Sequence, residues 1–193
     1  MRQLKLGALA PKILPNQPSL VACKSIITPK APAVIDRSKI ITHAQMFDND
    51  MIGDCSSAGI GNLMLAETAL NGLRITIDTQ NAIDFYPAST GYVPNDPSTD
   101  IGGVLSEVLG YCVNSGYKAG FYKYYPLWGS LEPHGRNAMG NVLNTFAAAD
   151  WGFGLAAADC GSVGQLWDIT TPGDQTPWSW GGHCALIWDY TGL

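Results

Sequence analysis

The sequence has no Cys-x-x-Cys pair, no long apolar run and no block of like charge. Its five cysteines, at 23, 55, 112, 160 and 184, are odd in number and irregular in spacing, which argues against both a disulfide framework and a zinc site. Charged residues make up only 14% of the chain, and its eleven Lys and Arg residues are scattered under a net charge of −5. That leaves no electrostatic footprint for nucleic acid or an anionic membrane. No segment reaches the roughly 20 apolar residues needed to span a bilayer. The opening Met1-Arg2-Gln3-Leu4-Lys5-Leu6-Gly7 lacks the apolar core of a secretory signal. The expectation is a protein of a cytoplasm-like compartment, or one assembled there into something larger. No metal, cofactor, nucleic acid or membrane is expected as a partner.

Apolar material is ample: 46% of 193 residues is enough for a packed core and too much for disorder. The 22 glycines and 12 prolines favour turns and close backbone approach. Residues 1–45 carry prolines at 11, 15, 18, 29 and 32 with no sustained period, and read as an extended arm laid over the body or a partner. Residues 46–193 read as the folded domain. Within it, Cys55 to Leu70 predicts a helix with Asp54 at its N-cap and Asn71-Gly72 as its stop. The Ser, Ala and Gly residues of its first half suit a central helix against which other backbone packs closely. A second helix is signalled by Ser98-Thr99-Asp100 and the stripe Val104, Leu105, Val108, Leu109 and Cys112. A third covers about 135–148, with Met139, Val142, Leu143 and Phe146 on one face. Strands are expected over 152–158 and 184–188, and helices followed by strands indicate an α+β class.

Two residues carry a chemical argument. A buried cysteine is by default a small hydrophobe. Cys55, however, falls at a predicted helix start, where free N–H groups and the helix dipole favour the thiolate that does the attacking. Asp54 opposes this by placing a second negative charge beside the sulfur. His183 follows Gly181-Gly182 and leads into an apolar strand, so its ring can emerge at the strand start as a base. His43 and His134 have no such context. Asp48-x-Asp50 with Gly53 has the flavour of a calcium loop but lacks the Glu at its twelfth position. Tyr122, Tyr124, Tyr125 and Trp128 read as an aromatic turn packed on the core or as a groove lining.

Val34-Ile35-Asp36-Arg37 and Asp48-Asn49-Asp50-Met51-Ile52-Gly53-Asp54-Cys55-Ser56-Ser57-Ala58 resemble the stretch leading into the active-site helix of papain-family cysteine peptidases. Asp36 precedes Cys55 by nineteen residues, the spacing found in that family. Gly102-Gly103, Ser115-Gly116-Tyr117 and Tyr124-Tyr125-Pro126 are similar to its Gly-Gly, Gly and Tyr-Pro landmarks. Trp180-Gly181-Gly182-His183-Cys184-Ala185-Leu186 is similar to its base motif. The nearest flavour is that of divergent bacterial and bacteriophage members with Asn-Asp-x-x-Gly-Asp-Cys and Trp-Gly-Gly-His motifs. The landmarks span about Asp36 to Trp188. The resemblance implies a papain-like fold, with a central helix carrying Cys55 packed against a C-terminal antiparallel β half. It also implies Cys55 as nucleophile and His183 as base, with Trp178 and Trp180 walling the base from water.

The departures are specific. Asn49 occupies the position of the family's oxyanion-hole Gln, with the same amide on a shorter stem. Ser56 replaces the Trp that follows the nucleophile. The family's base-orienting Asn lies more than a dozen residues beyond the His, whereas Leu193 is only ten residues past His183. Asp189 alternates onto the His183 side of a regular strand and is a weak substitute. The last strands of the β half are missing unless the arm or another chain supplies them. Two functions are expected on this basis. One is a cysteine hydrolase cleaving a peptide or related amide bond in a peptide or protein substrate. The other is a non-catalytic assembly protein, such as a bacteriophage virion component, that keeps the shape and binds protein partners through its arm.

Overall fold

The computed structural model describes residues 6–10, 12, 31–117, 135–145, 148–160 and 170–191. Most of the proline-rich arm, Cys23, the aromatic cluster at 122–128 and His134 lie outside the described residues. Helices and small antiparallel two-stranded sheets make a mixed α+β architecture. Among the described residues no helix is long and apolar enough to cross a membrane.

Helix α1, Cys55–Leu70, matches the expected span and is the centre of the molecule. Every residue from Cys55 to Gly61 is buried, so its first two turns are enclosed on all sides rather than along one stripe. Small side chains permit this. A methyl group on Gly61 would lie 2.8 Å from the Tyr117 hydroxyl and 2.9 Å from the Phe47 ring. One face of α1 meets the helices α2 (Thr79–Thr90) and α3 (Leu105–Ser115) in a core that includes Ile60, Met64, Phe85, Val108 and Cys112. Its second half presents Leu63 and Ala66 to Ile41 and Ala148, with Leu186 and Trp188 packed alongside.

Helix α2 is not among the sequence expectations. Pro87 sits inside it, which normally argues against a helix. Its ends are nevertheless well marked. The Asp78 N–H donates to Asn81 Oδ1 at 3.1 Å, and Gly91 closes the helix at φ +81°. Burial of Ala82, Phe85 and Tyr86 supplies the packing that outweighs the proline.

Helix α3 starts later than Ser98-Thr99-Asp100 suggests. Pro97–Thr99 forms only a 3₁₀ turn, whose Asp96 carboxylate accepts the Ser98 N–H. Gly102 then takes φ +81°, and Gly103 pairs with Ala8 as a parallel bridge, so helical geometry resumes only at Leu105. Helix α4, Gly135–Thr145, falls within the expected 135–148, with Val142 and Leu143 buried.

Strand β2, Ala149–Leu155, pairs antiparallel with β3, Gly181–Ile187, and α1 contacts β3. Both strands begin a few residues before their expected positions. Strand β1, Val34–Ile35, pairs with β4, Tyr190–Thr191, so part of the stretch read as an arm joins a sheet with residues near the chain end. Arg37 reinforces that join by donating from Nη1 to the Trp188 carbonyl and from Nη2 to the Leu143 carbonyl.

Candidate active site

Cys55 is the first residue of α1 and is buried. Strand β3 passes directly over it, and the Cys184 backbone N–H donates to Cys55 Sγ at 3.4 Å. The thiol is held well below its ordinary pKa. Hydrogen bonding from the Cys184 side chain is the largest cause, followed by a hydrogen bond and charge from His183, while burial opposes them. The structure therefore brings the two stretches that carry Cys55 and His183 together.

His183 is the third residue of β3 and is buried. It stands opposite Phe153 on β2, whose ring meets the imidazole edge-on at a centroid distance of 5.9 Å. Trp178 covers the adjacent glycine pair, Gly154 and Gly182, on the sheet face opposite to that of the Phe153–His183 pair. A methyl group on Gly154 would be 2.6 Å from the Trp178 indole, and one on Gly182 would be 2.4 Å from it, so the ring is seated directly on these two glycines. Trp178 holds φ at +70°, a left-handed conformation that costs a bulky residue about 1 kcal/mol or more. This indole packing is what the strained backbone secures.

Asp54 sits at the N-cap position but makes no side-chain cap bond. Its carboxyl is fully buried, and burial raises its pKa to about 8, against a smaller lowering by Asn49. A neutral Asp54 at neutral pH removes the repulsion that would otherwise oppose a thiolate at Cys55. Asn49 is buried beside it, with its amide donating to the Ile52 carbonyl at a long 3.4 Å. Neither Asp54 carboxyl oxygen has a well-formed hydrogen-bond partner.

Asp189 lies two residues beyond the end of β3, so the strand alternation that would carry it to the His183 side stops short of it. Its carboxylate accepts the Arg37 N–H at 2.6 Å. His43 meets Arg74, with 2.5 Å between ring nitrogen and guanidinium.

The sequence reading missed a polar node under the site. Asp100 Oδ1 accepts the Gly53 N–H at 2.9 Å and the Tyr86 hydroxyl at 2.9 Å, and the Tyr86 oxygen accepts the Gly102 N–H at 3.0 Å. This ties the loop before Cys55 to the Gly102-Gly103 turn. Burial and the Asp100 contact push the Tyr86 phenol upward. Such a node joins three distant segments and leaves no local pattern to read. Among the described residues no three His, Cys, Asp or Glu side chains converge as a metal site.

No family model matches the sequence, and neither a curated protein nor a solved structure matches it.

Proposed function

We propose that the chain is a papain-like cysteine hydrolase acting on a peptide or related amide bond. The observation that carries this reading is the first residue of α1 being a cysteine whose sulfur meets the His183-Cys184 segment of an antiparallel strand. The Cys55 thiol passes its proton to His183, and the thiolate attacks the carbonyl carbon as the carbonyl π electrons move to oxygen. The oxyanion takes the Cys55 backbone N–H at the helix start and the amide of Asn49. His183 gives its proton to the nitrogen as the C–N bond breaks, releasing an amine and leaving a thioester. Water then loses a proton to His183, attacks the thioester, and releases the carboxylic acid with the thiol restored. His183 is oriented in this scheme by packing against Phe153, and Asp189 is left to its bond with Arg37.

The deciding experiment is the pH profile of Cys55 alkylation in wild type and His183→Ala. The expected midpoint lies below the ordinary thiol value of about 8.5 and moves up in the variant. A midpoint at the ordinary value, unmoved by the substitution, would remove the nucleophile.

The burial of Cys55, 1% exposed, favours a second reading. In it the chain keeps this architecture as a non-catalytic assembly component, for example of a bacteriophage particle. An unshifted midpoint together with Cys55→Ala protein that assembles normally selects it.

A further inference from the structure

Residues 6–10 pass between the two halves of the site. The Gly103 N–H donates to the Gly7 carbonyl at 2.7 Å, and the Leu9 N–H donates to the Gly103 carbonyl at 2.9 Å. From the other side, the Ala8 N–H donates to the Gly182 carbonyl at 3.0 Å, one residue before His183. The segment thus joins the α3 side to β3 by main-chain bonds on both of its edges, as a single extended strand does. Ala8 turns inward and shares one buried cluster with Cys55, Leu105 and Cys184, while Leu9 turns out to solvent.

The fit is set by glycines. A methyl group on Gly7 would fall 1.7 Å from the Gly53 carbonyl oxygen, two residues from Cys55. On Gly102 it would fall 2.0 Å from the Gly7 oxygen, and on Gly182 it would fall 1.9 Å from the Ala8 oxygen. These are contacts with backbone, which cannot swing aside as a side chain can. The Ser106 hydroxyl donates to the Lys12 carbonyl, and Lys12 pairs with Glu107 in an exposed ion pair of small value.

We infer that the gap between Gly102-Gly103 and Gly181-Gly182 is a slot for an extended peptide with glycine and then alanine at its centre, and that the chain's own Leu6–Ala10 occupies it as a displaceable plug over Cys55. Main-chain bonds on both edges recognise any extended peptide, and the Gly53 carbonyl admits only glycine at the position of Gly7. As a gate on catalysis this slot rests on the function proposed above. As a peptide site it stands independently, because binding needs no turnover.

The test uses the full chain carrying Gly7→Val and reads the alkylation rate of Cys55 on the high-pH plateau, where every accessible thiol is ionised. Plateau rate reports access and the profile midpoint reports activation, so failure of one is distinguishable from failure of the other. Expulsion of the segment raises the plateau rate by roughly tenfold or more. Excess synthetic Leu-Gly-Ala-Leu-Ala returns it toward the wild-type rate, and Leu-Val-Ala-Leu-Ala does not. An unchanged rate in folded Gly7→Val protein, or no protection by the glycine peptide, overturns the inference. Should Gly7→Val fail to fold, the wild-type protein decides. The Leu9 amide must then exchange with the opening constant that limits Cys55 alkylation, and faster than the amides of α1. A Leu9 amide that exchanges only with global unfolding makes the segment a fixed part of the fold and overturns it equally.

Discussion

The main-chain N–H of Cys184 points at the sulfur of Cys55 across 3.4 Å. The strand bearing His183 is therefore registered on the helix start by the sulfur itself. A one-residue slip of β3 against β2 would move the imidazole away from the sulfur and also expose the opposite side chains.

Because the Cys184 side chain contributes most to the lowered thiol, Cys184→Ala is expected to raise the midpoint of Cys55 alkylation while leaving the fold intact. The Cys184→Ser variant keeps a donor and moves the midpoint less. Iodoacetamide rates across pH check both, and a Cys184→Ala profile that overlays wild type would refute the contribution.

Asp54 makes stability depend on pH. Its folded pKa of about 8 lies above the ordinary carboxyl value, so the folded state holds a proton that the unfolded chain releases. The sign follows from linkage: below about pH 4 the group is neutral in both states and costs nothing extra. Between about 4 and 8 stability is lost as pH rises, and above that the loss levels off. Asp54→Asn is expected to match wild type near pH 4 and to exceed it by a few kcal/mol, in order of magnitude, near pH 8. Urea midpoints at the two pH values measure the difference.

Much of this was readable in the sequence, and the reasons differ by element. Helix α1 could be placed because Asp54, the small-residue run and Asn71-Gly72 are all local signals. Strand β3 is legible in the apolar run 184–188, whereas Gly181 and Gly182 read as a lead-in to it and belong to the strand itself. Helix α2 was hidden by Pro87, whose cost is offset only by the tertiary burial of Phe85 and Tyr86. The late start of α3 was hidden because Gly103 is engaged by Ala8, a partner 95 positions away. Such pairings have no periodicity to detect. The fate of Asp189 was equally non-local, since its bond partner Arg37 belongs to the other sheet-forming stretch.

Tyr86→Phe tests the node beneath the site. The substitution leaves the buried Gly102 N–H without its acceptor and takes a donor from the partly buried Asp100. A loss of about 1–3 kcal/mol is expected, read as a lower urea midpoint with an unchanged slope. Loss of less than a few tenths would mean that the Gly53 and Gly102 loops hold their positions without it.

Under the proposed hydrolase mechanism, Asn49→Ala lowers kcat on a peptide substrate by about a hundredfold, with KM little changed, as removal of an oxyanion donor does. A parallel rise in KM alone would instead assign Asn49 to ground-state binding.

The sulfur and the strand that covers it are 129 positions apart in the chain. A contact of such sequence separation is expected to form late in folding, after the nearer contacts. During refolding from denaturant, thiol activation should therefore appear in one step with the final burial of tyrosine and tryptophan. No proteolytic fragment ending before β3 inherits it.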